Sequence, residues 1–280
     1  MSFLSNLGAE WSSVKCSPGF EVCLALQGTM PNGGEIYRSV DGGNTWTVVP
    51  GMNLGRWNKA TCDATGTKWI AALSSQKGCC NKPGGLYVST DSGASFTMVS
   101  GSNTLSWRNA ACDASFNNCI VGPKETADAN NLVKPYRLTN LQTLTELQGA
   151  PAADYQGLVM SADGERILAA FENRGTNFEF TGSVWYSLDG GNSWTQSDAP
   201  LGPYGGVACD PAVKHCAAAP YGNPNWDEAM MATSCDGGLS WTSSPPLNYW
   251  GGVTVDADGG RMVAVGIGTY SYPLPLHTAA

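Results

Sequence analysis

The feature that most constrains this chain is a repeat in which an aromatic residue is followed five positions later by Cys or another apolar residue. It occurs six times, as Trp11/Cys16, Trp57/Cys62, Trp107/Cys112, Tyr155/Met160, Tyr204/Cys209 and Trp250/Val255, and successive aromatics lie 46, 50, 48, 49 and 46 residues apart. Seven residues beyond each Cys or apolar position stands a second apolar one: Cys23, Trp69, Cys119, Ile167, Cys216 and Met262. Turn formers such as Asp63 to Gly66, Asp163-Gly164 and Asp258 to Gly260 lie between them, so each unit opens with a hairpin of two short strands, a and b.

A period of this size matches one four-stranded blade of a β-propeller. Composition agrees: 35 Gly and 16 Pro against 14% charged residues give many tight turns and little of the Glu/Lys-rich sequence that exposed helices need. The expected fold is all-β, a six-bladed propeller of four-stranded antiparallel blades. It fills residues 1–280 as one domain, with units starting near residues 11, 57, 107, 155, 204 and 250. The sixth unit has 31 residues before the chain ends and so lacks a strand. Residues 1–10 are the natural donor of that strand, closing the ring and removing an open sheet edge.

Four units carry the pattern Ser-x-Asp-x-Gly-x-Ser/Thr-Trp/Phe, at Ser39 to Trp46, Ser89 to Phe96, Ser187 to Trp194 and Ser234 to Trp241. Each follows an apolar stretch and precedes another short strand, which places it on the hairpin between strands c and d. These residues resemble the Asp-box (BNR) repeat of the sialidase-like superfamily. The resemblance implies a structural role for Asp41, Asp91, Asp189 and Asp236, whose carboxylates can accept hydrogen bonds from turn amides, while the Gly permits a left-handed backbone and the aromatic packs between blades. Unit three has Leu138 to Thr145 in place of the box, keeping its length but losing the Gly and the aromatic.

The net charge of −8 and pI near 4.7 argue against nucleic acid as a partner, and no segment approaches the apolar length of a membrane span. The opening residues do not read as a signal peptide. Ten cysteines suit a disulfide framework, which leans towards a secreted or extracytoplasmic protein. Cys16/Cys23, Cys112/Cys119 and Cys209/Cys216 fall where other units place apolar pairs, and predict three hairpin disulfides. Cys62, Cys79, Cys80 and Cys235 remain unassigned. With only His215 and His277 and no Cys-x-x-Cys spacing, no metal site or cofactor is expected.

The resemblance implies that function lies on the face opposite the boxes, where strands a begin and strands b and c are joined by long loops. The expected ligand-binding residues there are Trp11, Arg56, Trp57, Trp107, Arg108, Tyr155, Tyr204, Trp226 and Trp250. Aromatic faces with amides, carboxylates and guanidiniums are the chemistry of sugar recognition, so the first functional reading is a lectin-like binder of a glycan or other small ligand. The second is a carbohydrate-active enzyme using loop carboxylates among Glu125, Glu172, Asp227 and Glu228. A sialidase mechanism fits poorly, because there are only seven arginines and the first, Arg38, adjoins a box. The third is a protein-interaction scaffold. The strand-entrance aromatics have an alternative role as packing between blades.

Overall fold

Every one of the six repeat units begins with the same hydrogen-bonded turn. In the computed structural model, which describes residues 10–28, 33–76, 83–124, 132–174, 180–221, 229–266 and 276–279, strand a is followed by Ser17, Asp63, Asp113, Ser161, Asp210 or Asp256. The side-chain oxygen of each accepts the backbone N–H of Val22, Thr67, Asn117, Arg166, Lys214 or Arg261 at 2.8–3.2 Å. These short polar side chains replace backbone partners in the turn, which is why Ser and Asp recur there.

Three residues into each turn the backbone is left-handed, at Phe20, Gly66, Phe116, Gly164, Val213 and Gly259, with φ between 50° and 79°. Glycine adopts this conformation freely and other residues do so at a cost. The three hairpins without glycine at this left-handed position are the three closed by disulfides, Cys16–Cys23, Cys112–Cys119 and Cys209–Cys216. The expected pairings are therefore present. Cys62 and Cys235 are free thiols, while Cys79 and Cys80 lie outside the described residues.

The described residues form two compact units. The first, drawn from residues 1–124 and 136–145, holds three antiparallel meanders: β1 (Trp11–Cys16), β2 (Cys23–Gln27), β3 (Ile36–Ser39) and β4 (Thr47–Val48); β5 (Gly55–Cys62), β6 (Trp69–Gln76), β7 (Pro83–Ser89) and β8 (Thr97–Met98); and β9 (Trp107–Cys112), β10 (Asn118–Pro123), β11 (Tyr136–Thr139) and β12 (Thr143–Glu146). Neighbouring sheets meet through apolar side chains. Leu24, Leu26 and Ile36 of the first sheet pack with Trp57, Trp69 and Leu73 of the second, and Ile70, Ala72 and Leu86 pack with Trp107, Cys119, Val121 and Leu138 of the third.

The second unit, from residues 125–135 and 146–280, repeats the plan. Its sheets are β13 (Asp154–Met160), β14 (Ile167–Arg174), β16 (Val184–Ser187) and β17 (Thr195–Gln196), with β15 (Phe180–Thr181) paired to β14; then β18 (Tyr204–Cys209), β19 (Cys216–Pro220), β20 (Ala229–Ser234) and β21 (Thr242–Asn248); then β22 (Trp250–Val255), β23 (Met262–Gly266) and β24 (Leu276–Ala279). Leu168, Ala170 and Val184 pack with Tyr204, Val207 and Ala218. Among the described residues the last sheet has three strands. The fourth expected from residues 1–10 falls, except for Glu10, outside them.

Each strand a breaks register against its strand b immediately after the repeat aromatic. The extra residues are Ser12, the Asn58-Lys59 pair, Arg108, Gln156, Gly205 and Gly251. A bulge releases its residue from the ladder and re-aims its side chain. Asn58 uses that freedom to donate from Nδ2 to the carbonyl of Trp107 in the next sheet at 2.6 Å. At Gly205 a Cβ would meet the Trp250 carbonyl at 3.0 Å, so only glycine fits without a shift.

The c–d hairpins show why the box residues recur. Ser39, Ser89, Ser187 and Ser234 donate from Oγ to Oδ1 of the box Asp and accept the amide of the box Gly. Asp41, Asp91, Asp189 and Asp236 accept both the backbone N–H and the hydroxyl of Thr45, Ser95, Ser193 and Ser240. In the third sheet, where the box pattern is lost, the hairpin is a two-residue turn. Gln142 N bonds Thr139 O at 3.0 Å, and Asn140 and Leu141 both have positive φ, 52° and 57°, the geometry of a type I′ hairpin.

Candidate functional site

The six strand-entrance aromatics are not equivalent. Trp57, Trp107, Tyr155, Tyr204 and Trp250 are at most 1% exposed. Their polar atoms are used internally where partners exist: Trp107 Nε1 donates to Ser102 O, Tyr155 OH to Pro151 O, Tyr204 OH to Pro200 O and Trp250 Nε1 to Ala229 O. Their rings pack edge-on against strand b or c, as in the 5.2 Å Trp57–Tyr87, 5.6 Å Trp107–Tyr136 and 4.8 Å Tyr155–Phe171 pairs. A stacking platform for a sugar needs an open ring face, and these five spend theirs on the interior. Trp11 differs, since it is half-buried and keeps surface at the end of β1.

Trp11 sits in a polar cluster in the first sheet. Its ring meets Tyr37 edge-on at 5.4 Å, and it lies across the ladder from Gln27. Tyr37 OH donates to Glu35 Oε2 at 3.1 Å, and Glu35 N donates to Gln27 Oε1 at 3.0 Å. Burial, the hydrogen bond to Glu35 and that residue's negative charge together hold the Tyr37 phenol above its ordinary pKa, so it stays a donor at neutral pH. The arrangement combines a partly open indole with a carboxylate and a phenol. Glu35 and Tyr37 were not legible as site residues; Glu35 only bounds a variable loop in the sequence.

A second cluster ends the fourth sheet. Asp154, the first residue of β13, lies directly across from Glu172 on β14, and the bulge residue Gln156 donates from Nε2 to Glu172 Oε2 at 2.9 Å. Asp154 is 3% exposed and Glu172 half-buried. Of the candidate acids, Glu172 is thus placed beside a second carboxylate that the sequence pattern did not reveal. Its one signal is position, since Asp154 occupies the residue before the repeat aromatic, where Arg56 stands in the second unit. Glu125, Asp227 and Glu228, together with Trp226, lie outside the described residues.

Arg56 follows Gly55, whose backbone bridges to Gly34, the residue before Glu35 of the first cluster. Arg56 is exposed on β5 and its carbonyl accepts the Ser74 hydroxyl at 3.0 Å. Arg108 is the half-buried bulge residue of β9. Both clusters lie at the sheet ends opposite the box hairpins, at the start of strand a and the end of strand b. Among the described residues no helix is long and apolar enough to cross a membrane.

No protein-family model matches the sequence, and no curated protein matches it. Solved structures do. The chain is similar to a GH74 enzyme from Niastella koreensis with a TM-score of 0.69 and 19% identity over 91% of this chain and 44% of that one. It is similar to an ancestral GH74 enzyme with a TM-score of 0.69 and 15% identity over 97% of this chain and 36% of that one. It is similar to Kuenenia stuttgartiensis hydrazine synthase with a TM-score of 0.67 and 11% identity over 96% and 84%. The chain therefore spans less than half the length of either GH74 enzyme. With the antiparallel four-stranded sheets, these likenesses show a β-propeller fold.

Proposed function

We propose that this chain is a carbohydrate-binding propeller of the Asp-box type that engages its glycan at the sheet ends opposite the boxes. The observation that carries this reading is the first-sheet cluster, in which the half-buried Trp11 stands beside the Tyr37–Glu35 hydrogen bond. Sugars present CH-rich faces and a rim of hydroxyls, and an indole beside a phenol, a carboxylate and an amide matches both. The similarity to GH74 propellers, which are glycoside hydrolases, supports a carbohydrate ligand. Because hydrazine synthase shares the fold, the sugar reading is carried by the Trp11 cluster rather than by the fold. The test is a glycan array probed with the wild type, Trp11→Ala and Glu35→Gln. Array signals lost in both variants support the reading, and a wild type silent on the array refutes it.

A second reading, glycoside hydrolysis, rests on the opposed Asp154 and Glu172. Two carboxylates flanking a glycosidic bond serve as acid and as base or nucleophile, and Gln156 holds one of them in place. Incubation with plant β-glucan oligosaccharides distinguishes it: release of reducing ends by the wild type and its loss in both Asp154→Asn and Glu172→Gln supports hydrolysis, and no release by the wild type refutes it.

A further inference from the structure

The third sheet's missing box leaves a gap at the box end of the sheets in the first unit, the end away from the Trp11 cluster. Within the second unit, a complete box shows what normally fills such a place. The amide of Trp241, the box aromatic of the fifth sheet, donates to Asp198 Oδ1 of the fourth sheet at 2.9 Å, and the Trp241 ring packs against the core between those two sheets. Asp198 stands two residues past the last strand of its sheet, the position that Ser100 holds in the second sheet. The third sheet has only the Asn140-Leu141 turn to offer in return, with neither loop nor aromatic.

The result is an open cleft of about 470 Å³ between the second and third sheets. Thr97, Met98 and Ser100 line it from one side and Asn117, Asn140 and Gln142 from the other. We propose that this cleft is a binding site for a neutral, polyhydroxylated ligand of about mono- to disaccharide size. Its volume lies within the roughly 300–1,000 Å³ of small-molecule sites. Hydroxyl and amide side chains both donate and accept, which suits hydroxyl groups that do the same. Met98, 39% exposed, adds apolar surface for CH groups.

The charge pattern selects the neutral class. Among the described residues no carboxylate lines the cleft, and the one cation, Lys68, already donates from Nζ to Ser115 O at 2.9 Å and Asn117 Oδ1 at 3.1 Å. One of its three N–H groups remains, enough for a hydroxyl, while an anionic ligand would meet no second cation there. This inference does not rest on the glycan reading above, because the two sites occupy opposite ends of the sheets and are reported by different residues.

The test uses the full chain with methyl-labelled methionine and follows the Met98 methyl by NMR during titration with cellobiose, lactose and glucuronate. Saturable movement of the Met98 signal with a neutral disaccharide is expected. Ser100→Trp, which refills the gap as Trp241 does elsewhere, weakens that binding by about tenfold or more, the worth of one or two hydrogen bonds. A thermal melt shows that this variant is folded, and Gln142→Ala, which removes a lining amide without filling space, serves as the milder second variant. A Met98 signal that moves with no neutral sugar, binding unchanged in both variants, or a preference for glucuronate overturns the proposal.

Discussion

Asp154 and Glu172 face one another directly across the β13–β14 ladder, with Gln156 hydrogen-bonded to Glu172. Like charges opposed in this way cost a sheet about 0.2–1 kcal/mol relative to a neutral pair. Proteins keep such arrangements where activity needs them, at the expense of stability. Glu172→Gln is therefore expected to raise the melting temperature by about 1–3 °C while it weakens the ligand-dependent activity. Calorimetry paired with the glycan assays checks this; a variant that melts lower and binds equally well would assign the pair a purely structural role.

The box carboxylates predict an acid limit to stability. Asp41, Asp91 and Asp236 are each lowered to about 2, chiefly by the hydroxyls of Thr45, Ser95 and Ser240. Asp189 also reaches about 2, since burial works against the shift but the bonds from Ser193 and Ser187 outweigh it. Their ordinary value in an unfolded chain is about 3.9, so the folded state favours the charged form. The stabilisation is complete above pH about 4 and is lost as pH falls towards about 2. Melting curves across that window should fall steeply for the wild type and less steeply for Asp91→Asn with Asp236→Asn; parallel slopes would contradict the assignment.

The alternation of disulfides with glycines predicts an exchange between them. A closed loop of eight residues stabilises by roughly 2.5 kcal/mol on the chain-entropy model. A left-handed residue other than glycine costs roughly 1–2 kcal/mol. Phe20 is left-handed, 62% exposed and inside the first disulfide hairpin, so removing its side chain sacrifices little packing. Dithiothreitol should lower the melting temperature of the wild type, and Phe20→Gly should recover about 1 kcal/mol of that loss. A reduced Phe20→Gly protein less stable than the reduced wild type would refute the strain argument.

Burial separates two tryptophans that the repeat makes look alike. Trp57 is fully buried, and Trp57→Ala should cost about 3–5 kcal/mol of stability. Trp11→Ala removes a half-buried ring and should leave the melt nearly unchanged while reducing glycan affinity by about tenfold. Affinity measured at a temperature where both variants are folded keeps the two effects apart. An unstable Trp11→Ala, or one that binds like the wild type, would place Trp11 with the packing aromatics.

The fold was legible because its signals are local and repeated. The Ser or Asp after each strand a, the paired cysteines and the box Ser, Asp and Gly each form bonds within a few residues of themselves, so their spacing carries the structure. The site was much less legible. The repeat aromatics signal strand entrances, but sequence does not show that Trp57 is enclosed by Leu24 and Ile36 of the preceding sheet while Trp11 keeps open surface. Asp154 and Glu172 are eighteen positions apart, and only the β13–β14 register makes them neighbours. The loss of Gly and aromatic from Leu138 to Thr145 signals a degenerate box, but only the structure shows that Asn140 and Leu141 turn the chain back at once.

The slipped register after each repeat aromatic has a consequence for how such a protein can change. At Ser12, Arg108, Gln156, Gly205 and Gly251 one residue per sheet is excused from matching a partner across the ladder. Mutation there alters what the molecule offers a visitor without disturbing the pairing that holds each sheet together, except where, as at Gly205, a neighbouring carbonyl has claimed the room. Such positions let selectivity drift one sheet at a time while the scaffold stays constant.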